Sequence, residues 1–457
     1  MMLIKFRKIN GTFLKTSKCS IIDLLSTKEN DKSPCPPIDK KDRRAAADGT
    51  ESWRFVISKE KVNNLQKFNN LLLICVITVL FSTSSLYADQ NPPTIETRET
   101  DNLQISGYYK NLVNSSKSSD TKENIFSDLQ RLRLELKKLF NPWQFYLTLD
   151  NEAVVNDFAN TSDFTIVRSK IQNQLASWDL DKVSVDNDHL YLKHSIYRAY
   201  VKYYSPQFQA MVGKQAIDWG RMHFYSPLDV FNPPTAIDLE PEERVGIDAI
   251  NLNFSPESLA GINAVAAPGK NDEKTSLGLK LYKTINTYDC ALIAARIKKA
   301  TILGLSFDGY IQDAGFRGEI THTEDDNKRS FARVSAGLDY NFSDKLYFLG
   351  EQFFNGGHED NDINAFTSSY QLSAQTLSIK KNLTSFLWKY SLTPLVDLSL
   401  TTIYDWDGKS VMANPQLKYN ILSDIDLIVG SQFFWGNTNS EFGSYQHRMY
   451  CELKWFF

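Results

Sequence analysis

The chain has 457 residues, a formal net charge of −3 and 23% charged side chains. It contains no apolar run long enough to cross a membrane comfortably as a helix, so a helical membrane protein is excluded. Residues 1–88 are basic, and the remainder is therefore more acidic than the whole chain. An acidic chain lacks the basic face that general nucleic-acid binding needs, so no nucleic-acid partner is expected.

An almost purely apolar run occupies residues 71–81, after lysines and before a stretch of small and polar residues that ends at Ala88. This order of basic, short apolar and small-residue zones is typical of a secretory signal. We predict a signal peptide over residues 62–88, cleaved after Ala88. The polar residues 89–102 then form a periplasmic lead-in.

Residues 1–61 precede the predicted signal, although a signal normally begins a chain. They are basic, interrupted by prolines and without sustained periodicity. The sequence therefore predicts that this stretch is an over-extended gene start, with a genuine long leader as the alternative.

From Leu103 onward, apolar and polar residues alternate with a period of two. In residues 131–137 every even position is Leu and every odd position is charged, which favours a strand because a helix would scatter the leucines. The same alternation recurs at residues 277–281, 332–340, 396–400 and 417–421. One enclosed core could not hold so many charged faces, whereas a barrel with lipid outside and water inside satisfies both faces. We predict that residues 103–457 form an all-β transmembrane antiparallel barrel of about 16–18 strands.

The alternation also assigns side chains to the lumen. The predicted lumen-facing residues are Arg131, Arg133, Glu135, Lys137, Arg333, Arg448, Glu452 and Lys454. The basic members alone would form a ladder that attracts anions. Because carboxylates share the same face, a mixed, salt-bridged wall is the favoured interpretation.

The connections differ in length. Residues 341–344 and 422–424 are predicted to form tight turns, and residues 156–188, 322–328 and 356–370 longer loops on the opposite side. Acidic clusters in these loops are more typical of solvated loop tips than of cation sites, so no metal is expected.

An irregular segment follows a strand that is predicted to end at Gln215 and Trp219, because the next residues hold too many prolines for a ladder. The candidate site residues in or beside it are Trp219, Arg221, Asp229, Glu242, Glu243 and Arg244. The segment either folds into the lumen, where its charges narrow the pore and select solutes, or forms a structural clasp of mutually paired charges. Both can hold at once.

Three short motifs lie in this region: G-K-Q-A-I-D-W-G-R at residues 213–221, S-P-L-D-V-F-N-P at residues 226–233, and E-E-R-V-G-I-D at residues 242–248. Together they resemble porin-like outer-membrane proteins, including the alginate-export-type barrels. The resemblance implies a bacterial outer-membrane barrel. For the alginate-export type it also implies a conduit for an acidic polysaccharide.

The carboxy-terminal residues 445–457 alternate apolar and polar side chains and end in Lys454-Trp455-Phe456-Phe457. This ending resembles the terminal strand of bacterial outer-membrane barrels, whose last aromatic residue is read by the barrel assembly machinery. The resemblance implies that Trp455 and Phe457 form the assembly signal. Outer-membrane lipids and lipopolysaccharide are the further expected partners.

The sequence thus predicts an outer-membrane channel for passive diffusion of small hydrophilic solutes. The alternative is a dedicated export or uptake barrel for an acidic polysaccharide or other polymer, and a barrel enzyme or adhesin is a lesser one. Since the common catalytic and nucleotide-binding motifs are absent from the sequence, neither an enzyme nor a cofactor is expected.

Overall fold

The computed structural model describes residues 6–10, 51–55, 103–118, 123–155, 158, 161, 164, 177–233, 239, 244, 246–269, 275–325, 329–358 and 377–457, the first two ranges by backbone alone. The chain divides into two units, residues 1–98 and 99–457. In the first, strands β1 (Phe6–Asn10) and β2 (Glu51–Phe55) pair antiparallel. The predicted signal peptide and lead-in, residues 62–102, lie outside the described residues.

The second unit is built from antiparallel strands. Their bounds are β3 (Gln104–Lys117), β4 (Asn124–Phe140), β5 (Trp143–Val155), β6 (Asp181–Asn187), β7 (Leu190–Tyr204), β8 (Phe208–Gln215), β9 (Ile247–Glu257), β10 (Ala260–Ala267), β11 (Ser276–Ile285), β12 (Tyr288–Ile297), β13 (Ala300–Ile311), β14 (Ala314–Glu324), β15 (Ser330–Ser343), β16 (Leu346–Asn355), β17 (Asn382–Thr393), β18 (Val396–Asp405), β19 (Ser410–Leu422), β20 (Ile425–Trp435) and β21 (Arg448–Phe456). No helix in the described part of the chain is long and apolar enough to span a membrane.

These strands form one closed barrel, in which β21 pairs with β3. The closure continues to the last residue, because the amide nitrogen and carbonyl of Phe457 both bond to Gly107 at 3.0 and 2.9 Å. Strand β7 pairs with β5 along one edge. Along its other edge, residues 190–195 pair with β6 and residues 199–204 pair with β8, so β6 and β8 together occupy one strand position. The wall therefore has 18 strands. The predicted all-β antiparallel barrel is confirmed.

The period of two places neighbouring residues on opposite faces of this wall. On β11, Leu279 and Leu281 are 43% and 39% exposed, whereas Lys280 between them is 8% exposed. Residues paired across antiparallel strands share a face, and Lys280 pairs with Asn263 on β10 and Ile293 on β12. The apolar outer face and the polar inner face thus follow directly from the alternation.

The connections separate the two ends of the barrel. Short turns at residues 141–142, 205–207, 258–259, 286–287, 312–313, 344–345, 394–395 and 423–424 define the turn end, where β3 begins and β21 finishes. The opposite loop end carries most of the longer connections, including residues 156–189, 216–246, 356–381 and 436–447.

Several sequence predictions about element bounds need correction. The predicted connections 322–328, 341–344 and 422–424 start too early, because β14, β15 and β19 extend to Glu324, Ser343 and Leu422. Strand β8 ends at Gln215, so Trp219 lies beyond the ladder and not at its end. The last strand begins at Arg448, so Tyr445 precedes it and is buried inside the barrel with Phe434 and Phe442. The predicted loop 156–188 contains β6. Strand β8 is too short to pair with residues 190–195 of β7, and β6 pairs with them instead.

Candidate functional site

The inner segment, residues 216–233, leaves the wall after β8 and lies inside the barrel. Its Ile217, Leu228 and Phe231 are at most 1% exposed. They pack with aliphatic residues that project inward from the neighbouring wall, namely Ile247, Ala249, Val265, Ala267, Ile293, Ala295, Ile297 and Ile302. The hydrophobic effect thus favours keeping this irregular segment against strands β9 to β13.

The middle of the inner segment reaches a second part of the wall. Phe224 and Tyr225 belong to a buried cluster with residues of β16 to β20 and of the loops at the loop end. The ring of Tyr225 stacks on Phe353 of β16 with centroids 5.1 Å apart and planes 6° apart. The segment therefore follows the inner wall over several strands instead of hanging from one.

A buried carboxylate on β14 holds the inner segment by its backbone. Glu319 accepts hydrogen bonds from the amides of Arg221, Met222 and Leu228, the last two at 3.2 and 3.0 Å. It also accepts the hydroxyl of Ser226 at 2.8 Å. Because an irregular segment lacks ladder partners, this carboxylate satisfies amides that would otherwise be buried without an acceptor.

A second carboxylate on β16 repeats this arrangement. Glu351 accepts the amides of His223 and Phe224 at 2.7 and 2.9 Å. On β15 between them, the hydroxyl of Ser335 donates to the carbonyl of Tyr225 at 2.6 Å. Three adjacent strands thus fix residues 221–228, which include the predicted site residue Arg221.

Trp219 and Arg221 have different surroundings. Trp219 is 4% exposed, packs edge-on against Phe231, and donates its indole N–H to Asn263 at 2.8 Å. The Arg221 side chain is exposed and lines a cavity of about 340 Å³ inside the barrel. Trp219 is therefore an anchor of the segment, and Arg221 presents charge to the interior.

Asp229 and Arg244 form an ion pair, and Arg244 also contacts Asp218 at 3.1 Å. The carbonyl of Arg244 accepts the hydroxyl of Tyr197 at 2.7 Å, which ties the far end of the connection to β7. Burial raises the pKa of Asp229 well above its usual range, although Arg244 opposes this shift. Glu242 and Glu243 lie outside the described residues, so the partners found for Arg244 are Asp218 and Asp229.

The wall on the other side carries ion pairs. Arg131 on β4 bonds to Glu152 on β5 at 2.6 Å, and Lys193 on β7 approaches the same carboxylate at 3.5 Å. Arg133 bonds to Asp150 with both its Nε and an Nη, each at 2.6 Å. This bidentate geometry is the strong form of an arginine–carboxylate pair.

The other predicted lumen residues are spread around the wall and do not form one cluster. Arg333 donates to Asn355 at 2.9 Å, Arg448 donates to Gln432 at 2.5 Å, and Glu135 accepts the hydroxyl of Tyr146 at 3.1 Å. The ammonium of Lys454 lies 4.1 Å from the ring centre of Tyr108. Lys137 is the cross-strand partner of Tyr146, and Glu452 is that of Leu112.

Sequence reasoning missed Glu319, Glu351 and Lys280. Each sits at an inward position of an alternating strand, and that position was the available signal. The alternation cannot show that two of them bind a segment that is distant in the chain.

Comparison with known proteins gives matches only in structure, since no protein-family model and no curated protein sequence matches the chain. A BenF-like porin from Pseudomonas fluorescens Pf-5 aligns with TM-score 0.52 and 10% identity, covering 78% of this chain and 98% of that porin. OccAB3 from Acinetobacter baumannii aligns with TM-score 0.51 and 10% identity, over 78% and 100% of the two chains. OpdK from Pseudomonas aeruginosa, solved with vanillate, gives TM-score 0.50 and 8% identity, over 78% and 98%.

The likeness extends over nearly the whole length of those porins, while only 8–10% of the aligned residues are identical. At such identity it is the fold that is shared. The chain is therefore similar to bacterial outer-membrane porins in its barrel architecture.

Proposed function

We propose that this protein is an outer-membrane channel through which small hydrophilic solutes diffuse passively. The closed barrel carries the proposal, because it has an apolar outer face, a charged inner face and a connection folded against the inside. Such a wall fits lipid on one side and water on the other. The similarity in fold to BenF-like, Occ and Opd porins supports this choice.

The inner segment is the proposed constriction. Residues of one connection that occupy the barrel interior reduce the cross-section open to solutes, and exposed Arg221 and Asp218 place charge there. The pairing of Arg244 with Asp229 and Asp218 supports the clasp interpretation for those residues. We propose that the segment is both clasp and filter, with Arg221 on the filter side. Glu242 and Glu243 remain proposed members.

The polymer conduit is the alternative. It calls for a continuous basic path, whereas Arg131 and Arg133 are each bound to a carboxylate. The wall therefore favours small solutes. Hydrolytic activity of the purified barrel, or binding through its outer loops, would instead support the enzyme or adhesin alternative.

Trp455 and Phe457 are the proposed assembly signal, and lipid, lipopolysaccharide and the assembly machinery the proposed partners. Phe457 closes the β21–β3 seam through its backbone, and the Trp455 indole donates to Asp424 at 3.1 Å. Phe457→Asp should leave secretion intact but prevent heat-modifiable barrel from reaching the outer membrane. Normal levels of assembled barrel would contradict this role.

Planar-bilayer recording of the purified barrel tests the channel function. We expect stepwise single-channel currents in KCl, with reversal potentials in asymmetric salt that report the ion selectivity. A protein that inserts and carries no current would contradict the proposal.

A further inference from the structure

A polar cavity of about 340 Å³ lies inside the barrel, between the inner segment and the turn end. Trp219, Asp218 and Arg221 of the inner segment border it, together with residues of β7 to β11. The wall residues that matter here are Lys202, Asn253, Asn263, Lys280 and Tyr282. Any solute that passes the proposed constriction on this side meets these groups.

Three cations line this cavity: Lys202, Arg221 and Lys280. Among the described residues none of them has a carboxylate within 4 Å, although Lys202 lies 4.4 Å from the ring centre of Tyr204 and Asp218, Glu319 and Asp229 act on Lys280 from a greater distance. Asp218 is the one described carboxylate in the lining, and it contacts Arg244 at 3.1 Å. The cavity therefore has an excess of positive charge.

Lys280 gives the strongest indication that the cavity suits an anion. It is only 8% exposed, and its ammonium makes one described hydrogen bond, to the carbonyl of Trp219 at 3.4 Å. A buried ammonium normally has a charged or multiple polar partner, because burying an unpaired charge is costly. An anion in the cavity would supply that partner.

The rest of the lining is held rigidly by polar groups. Asn263 donates to Asn251 at 2.6 Å and accepts from Trp219, while Tyr282 donates to Asn253 at 3.1 Å. These bonds fix the amide and hydroxyl groups before a ligand arrives, which lowers the ordering cost of binding. Asn253, Asn263 and Tyr282 therefore offer fixed polar groups to the hydroxyl groups of a ligand whose charged part lies beside the cations.

We propose that this cavity binds phosphate-type dianions, such as inorganic phosphate or a phosphate monoester, in preference to monocarboxylates. Three cations against one already paired carboxylate leave a charge that a monoanion would only partly offset, while a dianion offsets more of it. A phosphate also presents three acceptor oxygens to separate donors. The inference rests on the proposed function, since it names the solute class of that channel.

The test uses the protein as purified from the outer membrane, with three sugars of matched size. At about pH 7 glucose 6-phosphate is mostly a dianion, because the second pKa of a phosphate monoester is about 6. Glucuronate is a monoanion and glucose is neutral. At about 0.1 M KCl, glucose 6-phosphate should reduce the single-channel current at a concentration about tenfold below that of glucuronate, with no effect of glucose.

Lys280→Met should raise the half-inhibiting concentration of glucose 6-phosphate about tenfold and bring it close to that of glucuronate. Arg221→Gln, at an exposed position that folding tolerates, should act in the same direction. Lys389→Met is the matched control, since Lys389 pairs with Asp397 at 3.1 Å near the turn end and lies outside the cavity lining. Equal inhibition by glucuronate and glucose 6-phosphate, or no change in both cavity variants, would overturn the proposal.

Inorganic phosphate should compete with glucose 6-phosphate in a calorimetric titration of the detergent-solubilised barrel. Failure to compete would show that the phosphate group is not what the site recognises. The same titration separates the two proposals. Binding without any current would contradict the channel and keep the site, whereas current without binding would contradict the site and keep the channel.

Discussion

The two sides of the barrel interior use buried carboxylates in opposite ways. On the side covered by the inner segment, Glu319 and Glu351 bind backbone amides, and Glu319 also binds the hydroxyl of Ser226. On the side formed by β4, β5 and β7, Asp150 and Glu152 bind arginine and lysine side chains. The first arrangement holds a piece of chain in place, and the second sets the charge of a wall.

The difference follows from what each wall faces. The covered side can be apolar, as at Ile293 and Ile302, because the inner segment excludes water from it. The inner segment does not cover the side formed by β4, β5 and β7, and the inward side chains there are charged and neutralise one another. An inward position under the inner segment is therefore either apolar or, as at Glu319 and Glu351, polar and bonded to the backbone of that segment.

The largest expected effect comes from removing an anchor of the covered side. Glu319→Ala leaves the amides of Met222 and Leu228 without their acceptor, and a buried unsatisfied donor costs about 1–3 kcal/mol. The free energy needed to detach the inner segment from the wall should fall by about 3 kcal/mol, so that amide exchange over residues 221–228 is about 100-fold faster. Hydrogen exchange measures this, and single-channel conductance should rise as the segment leaves the lumen.

Asp397→Asn is the control for this variant. Asp397 pairs with Lys389 near the turn end and touches no part of the inner segment in the described contacts. Unchanged exchange in Glu319→Ala would mean that apolar packing alone holds the segment, and that the backbone-binding role of the carboxylate is wrong.

A second variant attacks the packing instead of the anchor. A Cβ at Gly278 of β11 would lie 2.5 Å from the Trp219 ring and 3.0 Å from that of Phe231. Gly278→Val should therefore push both rings off the wall toward the lumen and lower conductance without preventing barrel formation. Gly318→Val is the control, because its Cβ would meet the ring of Phe307 and nothing of the inner segment. A wild-type conductance in Gly278→Val would show that the segment does not limit the pore.

The fold could be predicted from the sequence because strand alternation is local. Residues 131–137 alone show which side chains share a face, and the closed barrel is the arrangement that satisfies many such faces. The 18 strands of the wall lie within the predicted 16–18 for the same reason. The extra strand β6 could not be foreseen, since it fills an edge that exists only because β8 is short.

The site was predictable in part. The prolines after Gln215 correctly place an irregular segment, but its partners depend on closure of the barrel. Glu319 is 91 positions from Leu228 in the chain, and no periodicity links them. The placing of Arg244 beside Glu242 and Glu243, its neighbours in sequence, stays a prediction, and the fold adds Asp229 and Asp218, which are distant in the chain.

Substitutions on the side formed by β4, β5 and β7 should change the ion selectivity of the channel and leave its conductance nearly unchanged. Arg131→Gln removes one positive charge and leaves Glu152 with Lys193, so cations should be favoured about twofold more at low salt. The shift should shrink in 1 M salt, where the Debye length is about 3 Å. Arg131→Lys keeps the charge and should keep the selectivity, as reversal potentials would show. Equal shifts in both variants would indicate a structural effect of the lost guanidinium.

The smallest expected effect concerns a third carboxylate that binds backbone, at the loop end. Glu441 accepts the hydroxyl of Ser378 at 2.9 Å and the amides of Ile379 and Lys380 at 3.0 and 3.1 Å. Its own amide donates to the buried Asp405 at 3.1 Å. Burial is the main cause that raises the pKa of Glu441 to about 7, with Asp405 adding to the rise and the hydrogen bonds opposing it.

A raised pKa means that the packed loops bind the proton of Glu441 more tightly than the separated loops do. Below the ordinary carboxyl pKa both states are protonated and ionisation costs nothing, while above about 7 the packed state bears the full cost. Packing of residues 436–447 on residues 377–381 should therefore weaken as pH rises from about 5 to about 8. Amide exchange at Ile379 and Lys380, corrected for the intrinsic rate, should accelerate severalfold over this range. Glu441→Gln should abolish the acceleration, since an amide does not titrate, and the turn tied by the Arg329–Asp325 pair serves as the internal control. An acceleration that persists in Glu441→Gln would assign the pH response to another group and leave Glu441 as a purely structural acceptor.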